Sequence, residues 1–339
     1  MKLARITLAL AAAAALGGAP PPQDLDTIRE RIRSTPDLVV VPVTVKDAQG
    51  EFVLDIRAEE FRIFEDGVEQ KIELHTLESF PLSAVILLDN ALQTRIAERV
   101  SPTLGAIAGA IAPWDEAAVV QFAADSYTTG EFVAGGDELL DRLSRVSLAG
   151  ALPSREIGPP TGPTVGTPRP ESTPQSRPTM SVQIGGRRQK NLDDAMVAAA
   201  ELLAPQPRDR RKILLAVTDG ENSRQNRNTF DAALRRLLEA EAAVFAINVG
   251  GRSFLSRGSG ALERYARLTG GEIFNASEFS SLESAYARAL EQARTQYTLA
   301  YLPRPDRRPR EFHSLEVRVR RPGLTVIARD GFYASASAP

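Results

Sequence analysis

The sequence predicts an α/β protein: a doubly wound, mainly parallel sheet inserted into a small β-sheet or β-sandwich domain formed by the N- and C-terminal segments. Three observations carry this expectation. Two short apolar runs, Ser83-Ala-Val-Ile-Leu-Leu-Asp89 and Lys212-Ile-Leu-Leu-Ala-Val-Thr218-Asp219, each end in an aspartate where a loop begins. Buried parallel strands read this way when their carboxyl ends face a ligand crevice. Strand and helix signals alternate between residues 80 and 297. Three strand-like segments precede that stretch and three follow it.

Composition narrows the class. The 339 residues are 43% hydrophobic and 25% charged, as in a soluble globular protein with a proper core. The net charge of -2, from 41 basic and 43 acidic side chains, gives no general reason to bind nucleic acid or anionic lipid. Lys2 and Arg5 precede the apolar run Ile6 to Leu16, and Gly17-Gly18-Ala19 supplies small residues, so residues 1–19 read as a signal peptide of an exported, periplasmic or extracellular protein. No later segment is long and apolar enough to span a membrane. Cysteine is absent, which excludes disulfides, a thiol nucleophile, cysteine metal sites and lipid attachment at an N-terminal cysteine.

Residues 20–37 are polar and read as a linker or short exposed helix. The N-terminal part of the β-domain, 38–79, holds the β-branched run Leu38 to Val45, then Phe61 to Phe64 and Gln70 to Leu77 flanking Asp66-Gly67, a strong hairpin signal. The α/β domain, 80–297, begins with the strand Ala84 to Leu88. Ile96, Val100, Leu104, Ile107 and Ile111 recur at helical spacing until Pro113. Ala117 to Ala123 and Tyr127 to Val133 are the next strands, and Asp137 to Val146 is a helix with Leu139, Leu140 and Leu143 inward. Trp114 reads as a helix-end packing residue.

Residues 150–189 break the rhythm, with eight prolines between Ala151 and Met180, and are expected to be a disordered insertion. Six basic residues against Glu156 and Glu171 give residues 151–190 a formal charge of +4, with Arg187, Arg188 and Lys190 clustered at the end. The helix Asn191 to Ala204, the strand Ile213 to Val217, a helix from Thr229 to Ala242 capped by Asn228 or Thr229, and the strand Val244 to Val249 follow. A helix from Ala261 to Leu268, stopped by Gly270-Gly271, and the short strand Glu272 to Asn275 come next. Ser280-Ser281 opens a long helix. Tyr297 to Leu302, Ser314 to Arg320 and Leu324 to Ala328 supply the C-terminal part of the β-domain, 298–335.

This order of elements resembles a von Willebrand factor A (VWA) domain, and the mature chain resembles the bacterial secreted VWFA-related proteins. The resemblance spans roughly residues 38–335 through Phe61-Arg-Ile-Phe-Glu-Asp-Gly67, the Ala84 to Asp89 strand, Thr218-Asp219-Gly220, Tyr301 and Arg329-Asp-Gly-Phe-Tyr333. It implies a metal-ion-dependent adhesion site (MIDAS), in which Asp-x-Ser-x-Ser, a threonine and a further aspartate hold Mg²⁺ or another divalent cation. Hydroxyl and carboxylate oxygens suit such a hard cation. Here the first loop is Asp89-Asn90-Ala91-Leu92-Gln93, and Lys190 falls where the threonine should stand. Only Asp89 and Asp219 match, with ligands lost at Ala91, Gln93 and Lys190. A degenerate site is therefore expected: no cofactor, with Mg²⁺ or another divalent cation the disfavoured alternative.

The crevice beyond the strand ends is the expected protein-binding surface, lined by Asp89, Asn90, Gln93, Thr218, Asp219, Glu221 and Asn222. The same residues also suit turns and helix caps. An enzyme is not expected, since no Gly-x-Ser-x-Gly elbow, Ser-x-x-Lys motif or phosphate loop stands in the right context. His75 and His313 read as surface residues. The expectation is a non-enzymatic module that binds another protein without metal. A cation-dependent adhesin and a hydrolase or phosphotransferase with an unrecognised site are the alternatives.

Overall fold

The computed structural model describes residues 25–123, 126–128, 131–148, 190–250, 259–304 and 310–334. The expected signal peptide and the whole of the expected Pro-rich insertion, 150–189, lie outside them. The chain enters through α1 (Leu25–Ser34), the helix alternative of the 20–37 reading, though with one face buried rather than exposed. Ile28 and Ile32, one helical turn apart, are buried with Leu38, Leu74, Phe80 and Ala300, so a polar average concealed a narrow apolar stripe.

Two antiparallel sheets then form from both ends of the chain. β1 (Val39–Lys46), β2 (Phe61–Glu65), β3 (Val68–Gln70) and β4 (Ile72–Thr76) come from the N-terminal side. β2 and β3 close the expected Asp-Gly hairpin, with φ of 49° at Asp66 and 77° at Gly67, as a two-residue primed turn requires. The single strand expected from Gln70 to Leu77 is divided. β3 pairs with β2 in one sheet, whereas β4 crosses at Lys71 into the other, bringing Leu74 and Thr76 inward.

The α/β unit follows in the expected alternation. β5 (Leu82–Asp89) leads to α2 (Thr94–Val100) and α3 (Gly105–Ala110). The one helix expected there is interrupted by a 3-10 turn at Ser101–Thr103 containing Pro102, whose ring and missing N–H cannot continue an α-helix. β6 (Glu116–Phe122), β7 (Ser126–Thr128), β8 (Val133–Ala134) and α4 (Asp137–Ser144) come next. β7 and β8 are two short antiparallel pieces against β6, where one strand was expected. Leu139 and Leu143 face inward, but Leu140 is 44% exposed, because it lies off the stripe that those two define. Trp114 is 67% exposed and does not pack. Asp115 draws the chain round by accepting from Ala112 N, leaving the indole outside.

After the insertion come α5 (Leu192–Leu203), β9 (Arg211–Thr218), α6 (Phe230–Glu239), β10 (Ala243–Asn248), α7 (Ser259–Thr269), β11 (Ile273–Asn275) and α8 (Leu282–Arg294). The sheet order is β11-β10-β9-β5-β6-β7, parallel except at the β7 edge. Alternate residues of the central strands serve opposite faces. Ala84, Ile86 and Leu88 pack with α2, α3 and α8, whereas Val85 and Leu87 pack with α5, α6 and α7.

β12 (Tyr297–Tyr301), β13 (Phe312–Val319), β14 (Thr325–Ile327) and β15 (Gly331–Tyr333) return to the β-region, β15 being a strand the sequence did not mark. The sheets are ordered β14-β1-β12-β4 and β15-β13-β2-β3. Val39, Val41 and Val43 of one share a core with Phe61, Ile63 and Leu315 of the other, which makes the pair a sandwich.

Candidate functional site

β5 and β9 are adjacent at the centre of the sheet, and the chain leaves them in opposite directions, to β6 and to β10. Their carboxyl ends therefore open at the topological switch point. Asp89 closes β5; Thr218 closes β9 and Asp219 follows it. All three side chains are buried.

Lys190 joins them. Its ammonium, on a residue only 3% exposed, donates to Asp219 Oδ2 at 2.6 Å and to Asp89 Oδ2 at 3.1 Å. Thr218 Oγ1 donates to Asp89 Oδ2 at 2.7 Å and accepts from Gly220 N at 3.1 Å. The remaining carboxylate oxygens bind their own loops: Asp89 Oδ1 accepts from Ala91 N and Asp219 Oδ1 from Glu221 N. Burial pushes the Asp89 carboxyl above the usual aspartate range, and the charge of Asp219 adds to this against the opposing pull of Lys190 and Thr218.

The backbone around Lys190 explains how it arrives there. Lys190 O accepts from Ser223 N, and Asn191 N donates to Ala123 O, so the residue bridges the loops after β6 and β9. Asn222 Oδ1 accepts from Leu192 N at the start of α5. Asp194 accepts from Arg227 N, Asn228 N and Asn228 Nδ2. Burial pulls the Asp194 carboxyl up, but these donors outweigh it and hold the group below the ordinary range. Asp194 is a support that the sequence reading missed: its partners lie more than thirty residues away, and no local spacing marks them. Thr229, rather than Asn228, caps α6, accepting from Ala232 N.

The other expected site residues lie on the same two loops in different roles. Ala91 presents a buried methyl where a hydroxyl ligand would stand. Gln93 is exposed, and its side chain does not cap α2. Asn90 N donates to Phe122 O, while its Oδ1 is buried without a protein partner. Glu221 and Asn222 are exposed, the latter occupied by its loop contacts. Arg187 and Arg188 lie outside the described residues. The donor set does not fit a hard divalent cation: the two inward carboxylate oxygens already face an ammonium, and neither hydroxyl of the first loop is present.

Both histidines belong to the sandwich. His75 stacks on Tyr297, and His313 is buried against Phe332 and Asp66, which corrects its reading as a surface residue.

A doubly wound sheet with one antiparallel edge and a buried Asp89–Lys190–Asp219 cluster between its two central strand ends defines an α/β unit of the doubly wound class, here carrying an added sandwich. No protein-family model and no curated protein matches the sequence. Among solved structures, the chain is similar to an aerotolerance-related membrane protein from Bacteroides fragilis, at 14% identity and a TM-score of 0.42 over 62% of this chain and 98% of that one. It is similar to BatB from Bacteroides thetaiotaomicron at 12% identity and a TM-score of 0.42, over 62% and 96% of the two chains. Proximal thread matrix protein 1 from the mussel byssus, solved with a zinc-occupied MIDAS motif, is 12% identical with a TM-score of 0.44, over 68% of this chain and 49% of that one.

Proposed function

We propose that the chain is an exported, non-enzymatic protein-interaction module whose strand-end crevice works without a divalent cation. The observation that carries this reading is the Lys190 ammonium between Asp89 and Asp219. A fixed ammonium supplies the positive charge that two buried carboxylates need. A metal would have to displace it into a site with too few oxygen ligands, leaving a buried cation unpaired. The crevice offers partners a floor whose two carboxylates share one ammonium, and a rim of polar side chains, Gln93 and Glu221 among them. Among the described residues it holds no paired nucleophile and base, and both histidines lie on the sandwich. The N-terminal basic and apolar run supports export.

Calorimetric titration of the mature protein with Mg²⁺, Mn²⁺ and Ca²⁺ tests the metal statement; no saturable heat is expected. Saturable binding that disappears in Asp219→Ala would instead make the protein a cation-dependent adhesin. A photo-crosslinker placed at Gln93 tests the crevice against the organism's exported proteins. A discrete adduct that survives chelator and is lost in Glu221→Arg is expected; adduct formation indifferent to that substitution would move binding elsewhere. A hydrolytic or phosphotransfer turnover lost in folded Asp219→Ala would overturn the non-enzymatic reading.

A further inference from the structure

A second cluster of ligating groups lies on the sandwich. Strand alternation places Phe61, Ile63 and Glu65 of β2 on its buried face, and His313 and Leu315 of β13 are buried likewise. Leu315 pairs with Glu65, and Asp66 N donates to Ser314 O across the strand ends. The apolar face thus ends in a carboxylate and an imidazole, with the turn residue Asp66 beside them. His313 Nδ1 is 2.7 Å from Asp66 Oδ2 and 3.4 Å from Glu65 Oε1. One ligand atom from each residue lies within 4.8 Å of the others.

Two features separate this cluster from an ordinary surface acidic patch. Glu65 is only 7% exposed, yet its Oε2 is buried with no hydrogen-bond partner. Among the described residues, no lysine or arginine forms an ion pair with Glu65 or Asp66; His313 is their one ion-pair partner. A buried carboxylate with a free oxygen and no fixed cation is costly unless a positive charge arrives. A bound metal ion supplies that charge.

We propose that Glu65, Asp66 and His313 bind a divalent cation of the zinc type, through His313 Nδ1 and one oxygen of each carboxylate, with water completing the coordination. One nitrogen and two oxygens suit a borderline cation better than the all-oxygen shell of Mg²⁺ or Ca²⁺. Bond lengths of about 2.0–2.2 Å at tetrahedral angles place ligand atoms roughly 3.3–3.5 Å apart. The Glu65–His313 separation already meets this; the half-exposed Asp66 keeps its Oδ1 on Ser314 N at 2.8 Å and Ser314 Oγ at 3.2 Å, and its Oδ2 has to turn outward by the remainder, which also gives the ion its entry. His313 is held by stacking on Phe332, with ring centroids 5.6 Å apart, and its Nε2 has no partner. Without a second-shell acceptor on that nitrogen, the affinity is micromolar rather than that of a structural zinc site.

The test uses the untagged mature chain, dialysed against chelator and titrated calorimetrically with Zn²⁺ and Co²⁺ at pH 7.5. One saturable site is expected, with Co²⁺ giving the visible absorption of tetrahedral nitrogen and oxygen ligation. Asp66→Asn, which keeps the acceptor for Ser314 N, and His313→Phe, which keeps a ring against Phe332, should each weaken binding by about tenfold or more. Thermal melts without metal establish that both variants fold. Absence of saturable binding at pH 7.5, or equal binding in both folded variants, overturns the proposal.

Discussion

At the scale of single residues, the crevice is organised by charge balance. Lys190 is the fixed cation for two buried aspartates, so Lys190→Met should destabilise the protein by about 3–5 kcal/mol, because it leaves carboxylates desolvated without a counter-charge. Urea unfolding measures this, and adding Asp89→Asn and Asp219→Asn should restore most of the loss. His75 provides the pH signature. Burial lowers its pKa below the ordinary 6.5, against the opposing pull of the Ile56 carbonyl, so the unfolded chain takes up the proton first. Its contribution is intact above pH 6.5 and is lost as pH falls toward the depressed folded value. Unfolding measured across that range should lose this component of the slope in His75→Phe. Asp89 and Asp219 were legible because each ends an apolar run, and Lys190 because it precedes Leu192-Asp193-Asp194. His313 was not, since its burial depends on Glu65 and Phe332, which only the strand pairing brings near.

At the scale of elements, periodicity located the long helices and central strands but not where they break. Pro102 interrupts the α2–α3 stretch while every apolar position keeps its face, so the hydrophobic pattern runs through the break unchanged. The β3–β4 crossing is hidden for the same reason: a strand that changes sheets at Lys71 keeps its alternation. Caps are more legible, being local. Thr229→Ala removes the acceptor for Ala232 N and should cost about 1 kcal/mol, read as a shift in the urea midpoint with unchanged slope. A larger loss would place Thr229 in tertiary packing rather than capping.

At the scale of the whole molecule, buried polar ties join the α/β unit to the sandwich. Arg211, at the start of β9, donates to Ala293 O and Arg294 O at the end of α8 and to Thr298 Oγ1 on β12. Burial, with Arg294 nearby, lowers its pKa to about 10, which leaves it charged at neutral pH. Lys46 on β1 reaches Glu272 at 2.6 Å beside Gln292. The two units should therefore melt in one calorimetric transition, and Arg211→Met should lower its midpoint and resolve it into two. A single, unshifted transition in that variant would show that the sandwich is held by its strand connections alone. The counts of strand candidates on either side of the α/β stretch announced that the ends meet. They left open whether the ends form one sheet or a two-sheet sandwich, because the sorting of strands between sheets is a long-range matter of register.

The pairing of β1 with β12 also sets an order of events during synthesis. Val39 lies opposite Tyr301 and Val43 opposite Tyr297, so β1 has no partner on that side until the α/β unit that separates them has been made. Through that interval Val39-Val-Val-Pro-Val-Thr-Val45 is an uncharged, β-branched segment of the kind that self-associates. Pro42 sits at its middle, opposite Thr298 in the finished strand and lacking the N–H that a growing cross-β stack would use. The imperfection in the strand thus counts against self-association of the nascent chain, whose β1 edge can be paired only after the α/β unit has been made.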